Sequence, residues 1–229
     1  MREFNLLEGY PRPKNPRYVN SKLRTINSRI LASYRDKDYY DGTRENGHGG
    51  YKNDGRWVKV AKKICDEYNL NNKSSFLHIG CEKGFLMNDI KNLYPNMNIC
   101  GIEISKYAID NSMNSVINNI TKSNYLDLKQ FKSNSFDFIY APGVVYEHNI
   151  TDAIKCLKEI IRISKQKSFI TLGSYNNKDD YWLLKNWTLL GTTILLKSEW
   201  EKILKHVNYK GDYYFTNADN LNLVNKKLF

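Results

Sequence analysis

Between residues 57 and 175, short apolar segments alternate with segments whose apolar residues recur at helical spacing. The apolar segments have the length and composition of buried strands. They read "SFLHIG", "NICGIEIS", "SFDFIYA" and "KSFITLGS". Strands that are joined through helices lie parallel in one sheet with helices on both faces. The alternation therefore predicts an α/β fold with a doubly wound, mostly parallel sheet.

The rest of the chain is arranged around this alternating core. Residues 1–56 contain a basic N-terminal arm and then a glycine-rich segment that is too polar to belong to a core. Residues 57–229 form the predicted domain, with an insertion at about residues 176–196. After the insertion come a helix-like segment, "KSEWEKILKHV", and a strand-like segment, "YKGDYYF". We expect that last strand to be antiparallel.

Composition excludes several classes of protein. No apolar run approaches the ~18 residues of a membrane span, and the first residues lack the apolar stretch of a secretory signal. The four cysteines are scattered without a C-x-x-C pair, so neither a zinc site nor a disulfide framework is expected. These features predict a cytoplasmic protein with no metal site.

The net charge of +11 is concentrated near the start of the chain. Residues 1–35 contain eight Arg or Lys residues against two Glu residues. A basic arm of this kind can hold nucleic acid or phosphorylated ligands. The alternative is a solvated basic tail, and the arm lacks the dense aromatic residues of a single-strand binding platform.

The first strand runs into a glycine turn, "FLHIGCEKGF". In an open parallel sheet such a turn lies at the carboxyl edge, where ligands bind. Gly80 permits a tight turn, and Gly84 lets the next helix pack closely. The spacing is G-x-x-x-G rather than the dinucleotide pattern G-x-G-x-x-G, and Glu82 is a poor neighbour for a pyrophosphate. The turn therefore favours a ligand without a diphosphate.

An acidic residue follows at the end of the second strand. Glu103 in "GIEIS" lies 23 residues after Gly80, where its carboxylate can accept hydrogen bonds from both hydroxyls of a ribose. An adenosine without phosphates satisfies both features, and S-adenosylmethionine is such a ligand.

Three segments in this order, "LHIGCEKGFL", "GIEIS" and "SFDFIYAPGVVYEH", resemble the motifs of class I S-adenosylmethionine-dependent methyltransferases. The resemblance covers residues 57–175 and implies a Rossmann-like methyltransferase fold. It implies that the cofactor is held by Gly80, Cys81, Glu82, Gly84, Glu103, Ile104, Asn124, Tyr125, Leu126 and Arg56. The chain departs from the family pattern at His78, where Asp is usual, and at Glu82, where Gly is usual.

The resemblance also implies where chemistry occurs. Methyl transfer needs an acceptor atom placed in line with the methyl group and a base that removes its proton. His148, after the fourth strand, is the first candidate base, although many members of the family use a histidine there only as a wall of the cofactor site. His48 is the second, because the family often folds the segment before the core over the cofactor as a lid.

The expected acceptor is a small polar molecule, such as a sugar or a phosphorylated precursor of a surface polysaccharide. Its expected contacts are Tyr51, Tyr146, Glu147 and Trp182. An RNA-directed methyltransferase is one alternative, but the chain lacks the N/D-P-P-Y/F tetrapeptide of nucleic-acid amine methylation, which argues against a nucleic-acid partner. A non-catalytic cofactor-binding protein is another. A homodimer remains open.

Overall fold

The computed structural model describes residues 1–225; residues 226–229, the end of the predicted domain, lie outside that range. The strands are β1 Arg2–Glu3, β2 Arg17–Val19, β3 Ser75–Ile79, β4 Asn98–Glu103, β5 Ile120–Lys122, β6 Phe138–Ala141, β7 Ser168–Tyr175, β8 Leu195–Leu196, β9 Asp212–Thr216 and β10 Leu223–Asn225. The helices are α1 Ile26–Ser33, α2 Lys37–Tyr40, α3 Val58–Tyr68, α4 Phe85–Leu93, α5 Lys106–Asp110, α6 Ile150–Ile163, α7 Lys178–Trp187 and α8 Lys197–His206. One 3₁₀ turn covers Ile117–Asn119.

The main sheet has the strand order β1-β9-β7-β6-β3-β4-β5, and all its neighbouring strands are parallel. Strand β8 adds a short parallel pairing to β7. Strands β2 and β10 form a separate parallel pair. The predicted α/β class with a doubly wound parallel sheet is therefore confirmed.

The prediction of an antiparallel last strand is wrong. The segment "YKGDYYF" forms β9, which is parallel to β7, with Phe169 opposite Asp212 and Gly173 opposite Thr216. The chain passes from β7 to β9 through α7, β8 and α8. A connection through helices returns the chain to the edge where the previous strand began, so the next strand is parallel. An antiparallel neighbour would have required a hairpin at the opposite edge.

Helices cover both faces of the sheet because successive strand residues point to opposite sides. On one face α6 and α8 bury Leu157, Ile160 and Trp200 against the sheet. On the other face α3 and α4 are packed, and the apolar stripe predicted for α3 is buried from Val60 to Tyr68. Within residues 1–225, no helix combines the length and apolar character needed to cross a membrane.

The segment from α1 to residue 56 lies against the carboxyl edge of the sheet and is fastened there by Asp41. Its carboxylate accepts hydrogen bonds from the Lys83 ammonium at 2.7 Å, from the Tyr107 hydroxyl at 2.7 Å and from the Tyr51 amide at 3.2 Å. The Lys83 side chain is 7% exposed, so this ion pair is nearly withdrawn from water. Asp41 thus joins the N-terminal segment to the turn after β3.

We expect Asp41→Asn to lower the free energy of unfolding by ~1–3 kcal/mol, because a nearly buried ammonium loses its counter-charge. Urea unfolding followed by circular dichroism measures the change. The matched control is Asp66→Asn, which breaks the exposed pair with Lys62 on α3 and should cost less than ~0.5 kcal/mol. Equal losses in the two variants would show that Asp41 does not fasten the segment.

Candidate active site

The turn after β3 depends on residues in the left-handed region of backbone space. Gly80 and Gly84 have φ values of 73° and 72°, and a Cβ on either would lie within 2.8 Å of a valine methyl group. Glu82 has a φ of 52°, a conformation that is costly for a residue with a side chain. The departure from glycine at position 82 therefore needs a compensating interaction of its carboxylate.

Glu103 holds this turn from the end of the neighbouring strand. Its carboxylate accepts hydrogen bonds from the backbone amides of Glu82 at 2.8 Å, Ile104 at 2.9 Å and Ser105 at 2.8 Å. The side chain is fully buried. Burial raises the pKa of Glu103 although the amides of Ser105 and Glu82 oppose the rise. Glu103 lies at the carboxyl edge, as predicted, and also has a structural part in shaping the turn.

The N-terminal segment covers Glu103. The Ser105 hydroxyl donates to the carbonyl of Arg35, and the Arg35 guanidinium forms an ion pair with Glu147 after β6. Tyr40 is fully buried against Tyr107, and its hydroxyl has no partner among the described residues. Burial first, and then the Glu103 carboxylate, raise the pKa of Tyr40. A ligand that reaches Glu103 must therefore displace residues 35–40.

A cavity of about 240 Å³ lies beside the glycine turn, and we call it the turn cavity. Its walls include His78, Gly80 and Glu82 from the turn, Gly143 and Thr171 from the neighbouring strand ends, and His48, Tyr51 and Trp57 from the N-terminal segment. The fold thus brings His48 and Tyr51 to residues that the sequence placed in the cofactor site.

Two imidazoles flank the Glu82 carboxylate in this cavity. His48 Nε2 lies 3.1 Å from Glu82 Oε1. Burial by itself would raise the pKa of Glu82, but His48, Tyr51 and His78 together hold it below its usual value. Burial lowers the pKa of His78 to about 4, so this imidazole is uncharged at neutral pH, and its Nδ1 has no partner among residues 1–225.

A second cavity of about 240 Å³, which we call the arginine cavity, lies next to the first. Tyr146 and Glu147, two of the predicted acceptor contacts, line it, and His48 lines both cavities. It also contains Arg17, Arg24, Arg44 and Trp187. These four are not among the site residues predicted from the sequence. Arg17 and Arg24 belong to the basic arm, and Arg44 belongs to the glycine-rich segment. The predicted acceptor contact is Trp182 instead of Trp187.

Other predicted residues lie elsewhere. Trp182 is partly buried in an apolar cluster and does not line the arginine cavity, although Leu184 and Trp187 of the same cluster do. The Arg56 guanidinium is paired with both carboxylate oxygens of Asp54 at 2.7 and 2.6 Å. The Asn124 side chain accepts from the amides of Leu126 and Asp127 and so closes its own turn.

His148 is half-buried and lines neither cavity. Its ring lies edge-on to Tyr125 at 6.4 Å, and its Nε2 has no partner in the described part of the chain. Burial lowers the pKa of His148. Among residues 1–225, no group of three or more His, Cys, Asp or Glu side chains is placed to hold a metal ion.

A sequence model of a family described as a methyltransferase domain matches residues 70–214, which is more than half of the chain. The chain belongs to the methyltransferase domain family. The predicted enzyme class, an S-adenosylmethionine-dependent methyltransferase, and the predicted cofactor are thereby confirmed. A search of curated proteins found no match.

Solved structures share the fold of this methyltransferase domain. The YcgJ protein of Bacillus subtilis aligns at 15% identity with a TM-score of 0.52, over 64% of this chain and 66% of that one. A putative methyltransferase from Bacillus halodurans aligns at 12% identity and 0.51, over 64% and 67%. The [4+2]-cyclase SpnF aligns at 13% and 0.51, over 84% and 75%. Likeness at this level of identity shows the fold and not the reaction.

The methionine end and the ribose of the cofactor would contact different parts of this methyltransferase domain, one open and one covered. The turn cavity fits the methionine end, because the buried Nδ1 of His78 and the partly exposed Glu82 carboxylate are polar groups that an amino acid head can satisfy. Glu103, the residue predicted to hold the ribose, is fully buried close to Arg35 and Tyr40. The residues therefore fit the cofactor once residues 35–40 shift.

We expect stability to fall by about 2 kcal/mol between pH 7 and pH 5 through His78 alone. The folded-state pKa is about 4, below the ordinary value near 6.5, so the unfolded state binds more protons between these values. The contribution is complete above pH 6.5 and is lost as pH falls towards 4. Urea unfolding of wild type and His78→Asn at both pH values measures it. An identical pH slope in the two proteins would contradict the assignment.

Proposed function

We propose that this chain transfers the methyl group of S-adenosylmethionine to an oxygen or nitrogen atom of a small polar metabolite bound in the arginine cavity. The observation that supports this most directly is the position of His48, which lines both the turn cavity and the arginine cavity. A group at that junction can reach an acceptor in one cavity while the methionine end of the cofactor occupies the other.

The cofactor supplies an electrophilic methyl group, and the protein holds the acceptor in line and receives its proton. We assign the proton to His48. The Glu82 carboxylate lies 3.1 Å from Nε2, although the two groups do not meet hydrogen-bond geometry, and it places a negative charge beside the ring that receives the proton. The rings of Tyr39, Tyr40 and Tyr51 lie within 5.6 Å of the imidazole centroid and fix its orientation.

His148 then takes the other role that sequence reasoning left open, a wall of the cofactor site. It lies against Tyr125 near the end of β4 and is absent from the linings of the turn and arginine cavities. Its half-buried imidazole, with a lowered pKa, is suited to packing against an uncharged adenosyl group.

The folded arm argues against a nucleic-acid acceptor. Much of its positive charge is directed into the protein: Arg2 pairs with Asp212, Arg35 pairs with Glu147, and Arg29 donates to the carbonyls of Thr188 and Lys185. A phosphate backbone is bound by a row of exposed cations. The proposal of a sugar or phosphorylated precursor of a surface polysaccharide rests on the sequence resemblance.

We expect His48→Gln to lower turnover by ~10²–10⁴-fold, the contribution of a general base, with little change in affinity for S-adenosylhomocysteine. Acceptors come from a screen of sugars and sugar phosphates, with coproduct release as the readout. The matched variant is His148→Gln, in which turnover should fall less than cofactor affinity. The reverse pattern would make His148 the base.

We expect Glu103→Gln to weaken binding of S-adenosylhomocysteine by ~1.5–3 kcal/mol, because a charged acceptor for the ribose hydroxyls is lost. Isothermal titration calorimetry measures the affinity. Asp137→Asn is the control, since Asp137 accepts bonds from Ser75 at the opposite edge of the sheet and should affect stability without affecting the cofactor. Wild-type affinity in Glu103→Gln would remove Glu103 from the ribose site.

A further inference from the structure

Three arginines from separate parts of the N-terminal segment converge on one tryptophan. The guanidinium carbons of Arg24, Arg17 and Arg44 lie 4.0, 5.4 and 5.6 Å from the centre of the Trp187 ring. Arg17 lies on β2, Arg24 follows it, and Arg44 belongs to the glycine-rich segment. Trp187, at the end of α7, thus gathers three positive charges into one small volume.

No carboxylate within residues 1–225 forms an ion pair with these three arginines. Arg24 donates to the carbonyls of Trp187 and Arg44, and Arg44 donates to those of His48 and Gly47. Carbonyl oxygens orient a guanidinium but do not neutralise it. Glu147 lines the arginine cavity, but it is paired with Arg35. Glu45 lines a neighbouring cavity with the three arginines and forms an ion pair with none of them.

Burial and mutual repulsion both disfavour the charged forms of these arginines. Burial first, and then the neighbouring Arg44, lower the pKa of Arg17 and bring that of Arg24 to about 10. Burial also lowers the pKa of Arg44. Contact with an aromatic ring offsets only ~0.5–2 kcal/mol for each cation. Arg17 and Arg24 are half-buried and Arg44 beside them is exposed, and none of the three has a carboxylate partner within residues 1–225. Such a group of unpaired cations is expected where an anionic ligand completes the site.

The cavities around these arginines show where that anion would lie. The arginine cavity and a neighbouring cavity of about 250 Å³ both contain all three arginines and Trp187. A third cavity, also of about 250 Å³, contains Arg17, Arg44 and His48. The cations therefore stand at a junction, with His48 on one side of it. If the anionic group of a small ligand binds the three arginines, the rest of that ligand can extend towards His48.

The chemistry of the cluster selects a phosphoryl group. A guanidinium forms paired hydrogen bonds to phosphate oxygens, and a phosphate monoester brings about two negative charges where a carboxylate brings one. Each cavity is smaller than the ~300–1,000 Å³ typical of drug-sized ligands, which favours a small monoester over a nucleotide.

We propose that Arg17, Arg24 and Arg44 bind the phosphate of a small phosphate monoester and so place the hydroxyl or amino group of this acceptor beside His48. This inference rests on the proposed methyl transfer, because it names the acceptor class of the same cavity. Binding itself can be measured without the methyl donor, so the two proposals can fail separately.

The experiment is calorimetric titration of the full chain, without cofactor, with glucose 1-phosphate, glucose, glucuronate and UDP at constant ionic strength. We expect glucose 1-phosphate to bind at least about tenfold more tightly than glucose or glucuronate, since charge-assisted hydrogen bonds to a dianion are lost in both comparisons. Tighter binding of UDP than of glucose 1-phosphate would overturn the choice of a monoester. Equal binding of glucose and its phosphate would overturn the anion site.

Three variants test the residues. Arg17→Gln is the least disruptive, because the Arg17 guanidinium lies 5.4 Å from the Trp187 ring, whereas Arg24 lies 4.0 Å from it and also donates to two carbonyls. Arg24→Gln removes the most buried guanidinium of the three. Arg162→Gln is the control, since this arginine is paired with Glu159 on α6, away from the cavity. We expect glucose 1-phosphate affinity to fall about tenfold in the first two and less than twofold in the control. Unchanged affinity in both Arg17→Gln and Arg24→Gln overturns the proposal.

A methylation assay separates the inference from the proposed function. If the hydroxyl or amino group of phosphate monoesters is methylated, and Arg17→Gln impairs this reaction, both the phosphate site and the proposed function are supported. Methyl transfer only to uncharged acceptors supports the proposed function and overturns the phosphate site. Binding of glucose 1-phosphate that depends on Arg17, with no methyl transfer to any phosphate monoester, supports the anion site and overturns the acceptor role.

Discussion

The site depends on one hydrogen bond, in which the backbone amide of Glu82 donates to the Glu103 carboxylate at 2.8 Å. It ties the turn after β3 to the end of β4 and holds Glu82 in a left-handed conformation that residues with side chains rarely adopt. That conformation aims the Glu82 carboxylate at His48 and His78. The buried Glu103 carboxylate thereby determines the position of the Glu82 carboxylate, which lies 3.1 Å from the imidazole of His48, a residue from a distant part of the chain.

The N-terminal segment is a working part of this methyltransferase domain. Asp41 fastens it to Lys83 in the turn, and its carbonyl at Arg35 accepts from Ser105 at the start of α5. It brings His48 to the turn cavity, yet it also encloses Glu103 beneath Arg35 and Tyr40. The packing of this segment on the domain thus both adds His48 to the site and covers Glu103. A ligand that binds Glu103 must displace residues 35–40.

The positive charges of the N-terminal residues are distributed differently in the folded protein than the sequence alone indicates. In the sequence the positive charges of residues 1–35 form an arm. In the structure several of them are spent on internal partners, while Arg17 and Arg24 join Arg44 around Trp187 without a carboxylate in the described part of the chain. Desolvated like charges are unfavourable in a folded protein unless something compensates them. The distribution of partners, more than the net charge, distinguishes a small-molecule anion site from a nucleic-acid surface.

By itself the sequence determined the alternation of strands and helices, the glycine turn and the acid at the end of β4, because hydrophobic period and backbone conformation are local properties. The tertiary structure decided what depends on distant segments. The direction of β9 follows from a crossover through α8, which no strand pattern encodes. The pairing of His48 with Glu82, the burial of Glu103 and the gathering of arginines at Trp187 join residues from distant parts of the chain. Such contacts arise from tertiary packing, so the spacing of residues in the sequence does not predict them.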